Sequence, residues 1–155
     1  MKLAIIGTGN MGGAIARGLI ASGSWQASDL ICTAKTDSGL ERIRTTLPGV
    51  QATQDNKLAA GGADIILLAV KPWFISEVIV EILPVLDFSR QLIISVAAGI
   101  SLWEMAQLMT GPESTVNPVL FRAIPNTAVE VLDGVTFICG QNATEEQTNV
   151  VAGLS

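Results

Sequence analysis

The sequence predicts an α/β fold, with a mainly parallel, open sheet and helices packed on both of its faces. Three observations predict it. Short, wholly apolar runs recur along the chain, as strands buried on both faces require. Between them lie stretches whose apolar residues return at helical spacing. The two kinds of segment alternate over nearly all of the 155 residues, the order that parallel strands joined by crossover helices must follow.

The first run, Leu3-Ala4-Ile5-Ile6, reads as a buried strand. The spacing then predicts a helix over 11–21, with Met11, Ala14, Ile15, Gly18 and Leu19 on one face. Gly23 and Ser24 close it, and residues 29–33 form the second strand. A weaker helix over 39–47 ends at Pro48-Gly49 and leads to a short strand over 50–52 and one or two helical turns over 56–60. Residues 65–70 are the strongest strand. After Pro72 a helix is expected over 73–83, with Ile75, Val78, Ile79 and Ile82 as its apolar face. The next strand is 92–96, and Ser101 with Glu104 three residues on has the pattern of a capping box. Strands over 119–124 and 135–139 complete the sheet. Thr144-Glu145-Glu146-Gln147 is a second capping box, followed by Val150, Val151 and Leu154 at helical spacing. One domain over 1–155 is expected, without repeats or an internal linker. That last helix has hardly run three turns at Ser155, so the chain reads as cut within it from something longer. The mean hydropathy of +0.49 points the same way, because a surface made for an absent partner raises it.

Composition narrows the function. Apolar residues make up 49% and charged residues 15% of the chain, which excludes disorder. Nine basic residues stand against 14 acidic ones, with no basic run, so nucleic acid is not an expected partner. No apolar stretch approaches the roughly 18 residues of a membrane span. Gly9, Asn10 and Arg17 interrupt the apolar start, which argues against a secretory signal, and the cytoplasm is the expected compartment. Cys32 and Cys139 lack metal-ligand spacing and read as buried small hydrophobes; no metal site is expected. There is no His and no Tyr, which removes Ser-His-Asp triads, His-based dehydrogenases and the Tyr/Lys proton donors of short-chain dehydrogenases.

Gly7-Thr8-Gly9-Asn10-Met11-Gly12 is G-x-G-x-x-G, directly after the first strand and opening the first helix. The first glycine permits a tight turn, the second lets a pyrophosphate approach the backbone, and the third lets helix and strand pack closely. The helix N-terminus adds unpaired N–H groups and a partial positive charge. In this context the hexapeptide predicts a dinucleotide site of the Rossmann type. An NAD site usually carries an acid at the end of the second strand, about 20 residues past the glycines. Here the stretch is Cys32-Thr33-Ala34-Lys35-Thr36, with no acid before Asp37. Lys35 and the hydroxyls of Thr33 and Thr36 suit a 2′-phosphate, so NADP is expected ahead of NAD, with NAD possible. Three further strand ends offer small or rigid tips: Ala69-Val70-Lys71-Pro72, Val96-Ala97-Ala98-Gly99 and Pro125-Asn126-Thr127. Ligands of open α/β sheets gather at such carboxyl ends.

Together, Ile6 to Ile15, Ala69-Val70-Lys71-Pro72, Ala97-Ala98-Gly99-Ile100 and Pro125-Asn126-Thr127 resemble pyrroline-5-carboxylate reductase. The resemblance runs from residue 3 to about 147. It implies a reductase that takes Δ1-pyrroline-5-carboxylate to L-proline with NAD(P)H. It also implies a second, helical domain, absent here, through which the full-length protein forms a homodimer or higher homo-oligomer and builds most of its substrate pocket. By the same resemblance Ile6, Gly7, Thr8, Gly9, Asn10, Met11 and Gly12 line the pyrophosphate, Lys35 and Thr36 the 2′-phosphate, and Asn56 the adenosine ribose. Ala69, Val70, Lys71, Pro72, Val96, Ala97 and Ala98 hold the nicotinamide end, and Asn126 and Thr127 lie beside the substrate. Ala128, where the family often has a second Pro, and the lone Lys35 are its departures from the pattern.

A cyclic imine is basic enough to be largely protonated near neutral pH and accepts hydride without a strong protein acid. No side chain of this chain is therefore expected to be an essential proton donor, and Lys71 is expected to contact the cofactor. Alone, the chain is expected to bind NADP weakly without turnover. Two alternatives share the first half of such a chain: another NADP-dependent reductase, such as a 3-hydroxyacid or deazaflavin-dependent one, and a non-catalytic dinucleotide-binding module.

Overall fold

A computed structural model of the chain describes residues 1–97, 99–110, 118–125 and 135–152; for 124, 125, 135–141 and 152 it describes the backbone alone. Seven strands form one sheet: β1 (Leu3–Ile6), β2 (Leu30–Thr33), β3 (Gln51–Thr53), β4 (Ile65–Leu68), β5 (Leu92–Ser95), β6 (Val119–Pro125) and β7 (Val135–Gln141). Their spatial order is β3-β2-β1-β4-β5-β6-β7. β1 to β6 pair in parallel, and β7 runs antiparallel to β6. The chain thus builds outward from β1 in one direction, returns to its other side at β4 and builds the other way. The crevice between the carboxyl ends of β1 and β4 is where such a sheet receives its ligand.

Among the described residues six α-helices flank the sheet: α1 (Asn10–Ala21), α2 (Asp37–Thr46), α3 (Asn56–Gly61), α4 (Ile75–Ile82), α5 (Leu102–Met109) and α6 (Glu145–Ala152). The alternation of side chains along each strand divides the core in two. Leu3, Ile5, Ile65, Leu67 and Ile94 face α1, α2 and α6, where Ile15, Leu19, Ile43 and Val151 meet them. Ala4, Ile6, Ile66, Leu68 and Ile93 face α3, α4 and α5, where Ala59, Ile75, Val78, Ile79, Ile82 and Met105 meet them. Double burial explains why β1, β4 and β5 are apolar without alternation.

The doubly wound, mainly parallel sheet and the apolar face of α4 stand as the sequence predicts. The differences lie at boundaries. The helix expected over 73–83 is an α-helix only from Ile75, with 3₁₀ turns at Pro72–Phe74 and Leu83–Val85, each holding a Pro near its start. β4 stops at Leu68 and β5 at Ser95, because the following residues turn to the cavity described below. Asp29 belongs to a 3₁₀ turn before β2. Residues 126–134 are too few for a helical crossover, which is why β7 must return antiparallel. Met11, expected on the buried face of α1, is 41% exposed, since at the first turn that face looks past the sheet's edge. The second capping box forms in full, Thr144 and Gln147 exchanging side-chain-to-backbone bonds at 2.9 and 3.1 Å. At the first, the Ser101 hydroxyl accepts from Glu104 N–H at 3.1 Å, and the Glu104 carboxylate meets that hydroxyl at 3.2 Å in place of the backbone. Cys32 is buried, as expected; the side chain of Cys139 and the residue Leu154 lie outside the described structure. No helix among the described residues is long and apolar enough to cross a membrane.

A candidate dinucleotide site

A cavity of about 720 Å³ opens at the carboxyl ends of β1, β2, β4 and β5. Its floor is the loop from β1 to α1. Gly7 takes φ +86°, and a Cβ there would collide with the Val70 side chain and lie 3.1 Å from the Val70 backbone. A Cβ on Gly12 would stand 2.8 Å from the Gly7 carbonyl oxygen, so this glycine lets α1 settle on the loop. Gly9 differs: an added Cβ would meet nothing within 4 Å. Its backbone conformation is open to other residues, and what glycine provides is free space. Thr33 at the end of β2 clamps the loop, its hydroxyl accepting from Gly7 N–H at 3.0 Å and its carbonyl from Thr8 N–H at 2.8 Å.

Above this floor α1 begins without a side-chain cap and with no acidic residue in its first turn. The N–H groups of Asn10, Met11 and Gly12 have no intrahelical acceptors, and they carry the positive end of the helix dipole. Next to it stands the β2–α2 turn. Thr36 caps α2, its hydroxyl accepting from Gly39 N–H at 3.0 Å, beside the Ser38 hydroxyl at 3.1 Å. A Cβ on Gly39 would lie 2.8 Å from that of Ala34, so the glycine brings α2 against the turn. Lys35 Nζ rests 3.5 Å from the centre of the Phe74 ring. Arg42 Nη2 donates to Asn10 Oδ1 at 2.8 Å, across from α2 to α1. The opposite wall is Gln54 and Asn56 below Ala69, Val70, Lys71, Pro72, Phe74 and Val78, with Val96 and Ala97 at the far end. The Asn56 amide donates to Glu81 at 3.4 Å.

Fourteen of the residues expected at a cofactor line this one cavity: Gly7, Thr8, Gly9, Asn10, Met11, Lys35, Thr36, Asn56, Ala69, Val70, Lys71, Pro72, Val96 and Ala97. Two do not. Ile6 is fully buried beneath the loop, and Gly12 is turned into the helix–loop contact. Thr33, whose hydroxyl is expected at a phosphate, also lines the cavity, and that hydroxyl accepts from Gly7 N–H. Ala98, Asn126 and Thr127 lie outside the described residues. Sequence reasoning missed Ser38, Gly39, Arg42, Gln54, Phe74 and Val78. Gly39 and Arg42 stand three apart on one helical face, a spacing that could have joined Arg42 to the turn. Phe74 carried no such signal.

Among the described residues the lining holds three cations, Lys35, Arg42 and Lys71, and no carboxylate, in a chain whose net charge is −5. Asp37 is held by the Gln54 amide at 3.1 Å instead. An open glycine cradle, an uncapped helix start and unopposed cations fit a phosphorylated dinucleotide, and flat apolar walls beyond them fit its ring systems.

The family described as NADP oxidoreductase coenzyme F420-dependent matches residues 2–99, the stretch that builds this cavity. The chain belongs to that family. Within it, a curated relative, pyrroline-5-carboxylate reductase 3 of Danio rerio, is 32% identical over 155 residues, 99% of this chain and 51% of the relative. Among solved structures, a pyrroline-5-carboxylate reductase from Coxiella burnetii superposes with a TM-score of 0.86 at 30% identity, over 99% of this chain and 54% of that one. The Plasmodium falciparum pyrroline carboxylate reductase, solved with NADP bound, superposes with a TM-score of 0.78 at 25% identity, over 99% and 53%. The chain of this NADP oxidoreductase family member spans about half the length of the relatives it matches.

Proposed function

We propose that residues 1–155 are the NADP(H)-binding domain of a reductase acting on 1-pyrroline-5-carboxylate, with NAD as a weaker alternative cofactor. The observation that carries the reading is the cavity itself, where the described lining has three cations and no acid around an open glycine cradle at an uncapped helix. The loop N–H groups and Gly9 would take the pyrophosphate, Lys35 and the Thr36 turn the 2′-phosphate, and Asn56 the adenosine ribose. The tips Ala69 to Pro72 and Val96 to Ala97 would hold the nicotinamide end, with Asn126 and Thr127 toward the substrate.

When bound, the reduced cofactor supplies the hydride. This chain's residues would position it: the small side chains of Ala69 and Ala97 would leave room for a flat ring, and Val70 and Val96, which line the same cavity, would shield it from water. The chain has no His and no Tyr, and no residue of it is assigned as a proton donor. Lys71, exposed at the tip of β4, is assigned to the cofactor. The imine substrate is favoured by the identity of the pyrroline-5-carboxylate reductases, 32% and 30% over 99% of the chain.

NADPH oxidation by the full-length gene product tests the reading. Turnover with 1-pyrroline-5-carboxylate, and none with an oxidised deazaflavin or a 3-oxoacid, is the expected result. Absence of NADPH binding to this chain in a calorimetric titration would sink it. An Arg-free role for Lys71 is tested alongside: Lys71→Ala should raise the Kd for NADPH and leave the turnover number at saturating cofactor within about threefold.

A further inference from the structure

Two cations on the cavity rim rest on neutral partners. Lys35 lies over the Phe74 ring at 3.5 Å, and Arg42 holds the Asn10 amide oxygen at 2.8 Å. The acids nearest in sequence are engaged elsewhere, Asp37 with Gln54 at 3.1 Å and Glu41 with Arg44 at 4.0 Å. We propose that Arg42 is the residue that distinguishes dinucleotides with a 2′-phosphate from those without one, and that Asn10 holds its guanidinium ready. The inference rests on the NADP(H) reading above and deepens it.

The physical case turns on what each partner does to the cation. A carboxylate beside Arg42 would neutralise it and repel a phosphate. The Asn10 amide accepts one hydrogen bond and leaves the charge intact. It also limits the freedom of a long, exposed side chain that would otherwise have to be ordered on binding. Guanidinium binds phosphate through two parallel hydrogen bonds, with direction as well as charge, whereas Lys35 acts as a point charge. A doubly charged phosphate at the β2–α2 turn therefore replaces the neutral amide as the partner of Arg42. Until a phosphate takes its place, the Arg42 bond to Asn10, the first residue of α1, ties the two ends of the cavity together.

Calorimetric titration of the chain with 2′,5′-ADP and 5′-AMP reads the adenosine end alone, and NADP and NAD read the whole site. Arg42→Gln should weaken 2′,5′-ADP and NADP about tenfold and leave 5′-AMP and NAD within about twofold. Arg42→Lys should recover part of that loss. Asn10→Ala should show a smaller loss for the same two ligands, and none further in the Arg42→Gln background. Equal weakening of all four ligands assigns Arg42 to packing and overturns the proposal, as does normal discrimination by Arg42→Gln. In either case the parent chain still binds NADP and the wider reading survives. A parent chain that binds none of the four overturns both.

Discussion

At Gly7 the backbone takes φ +86° and an added Cβ would press on Val70, while at Gly9 the same atom would enter open space. Two alanine substitutions in one motif should therefore part company. Gly7→Ala should lower stability by about 2–4 kcal/mol in urea unfolding, from strain and overpacking together. Gly9→Ala should leave stability within about 0.5 kcal/mol yet weaken NADP about tenfold by calorimetry, because the methyl fills the cradle. The buried Cys32 gives a second test. Desolvation pushes its thiol from 9.0 up to about 11, against a smaller downward pull from the Thr8 hydrogen bond. Between those values the unfolded chain holds fewer protons than the folded one, so stability falls as pH rises from about 9 to 11 and is untouched by this group below 9. The loss is roughly 2–3 kcal/mol. Unfolding midpoints at pH 8 and 10.5 should differ for the parent chain and differ less for Cys32→Ala. The residue types of the loop were legible in sequence because its glycines answer to a turn, to free space and to close packing, all local needs; the Thr33 clamp on Gly7 was not, because the bond spans 26 positions.

Elements are joined here by polar groups that sequence periodicity does not register. Gln91, before β5, is 1% exposed, and its amide donates to Ala60 and Ala63 carbonyls at 2.7 and 2.8 Å and accepts from Asp87 N–H at 2.8 Å. It thus satisfies the carboxyl end of α3 and the turn into β5 at once. Gln91→Leu should cost about 2–3 kcal/mol by removing its bonds to the Ala60 and Ala63 carbonyls and the acceptor of Asp87 N–H, with an unchanged denaturant slope. The helix from 75 to 82 was readable because Ile75, Val78, Ile79 and Ile82 form one stripe. Its 3₁₀ ends were not, because a proline marks where a helix changes without saying into what. The antiparallel turn of β7 escaped for a related reason, since apolar runs do not carry direction.

For the whole molecule, charge is distributed against its own sum. A net charge of −5 coexists with a cavity lined, among the described residues, by Lys35, Arg42 and Lys71 and by no acid. Saturating NADP should therefore stabilise the chain, by about 2.7 kcal/mol at a hundredfold excess over Kd. Raising the salt from 0.05 to about 0.5 M should erode the shift in Tm for NADP more than for NAD, because screening acts on the additional phosphate. Equal salt sensitivity for the two cofactors would remove the 2′-phosphate from the cavity's account.

Apolar runs alternating with helical stripes, and a glycine motif at residue 7, determined the class of fold and the floor of the site, because periodicity and backbone sterics act over a few residues. Which side chains face one another across the cavity was decided only by the tertiary structure. Arg42 meets Asn10 and Lys35 meets Phe74 because the chain reverses its build at β1 and β4, bringing α1, α2 and the β4 tip around one crevice. Such meetings depend on distances through space, and spacing along the chain does not contain them.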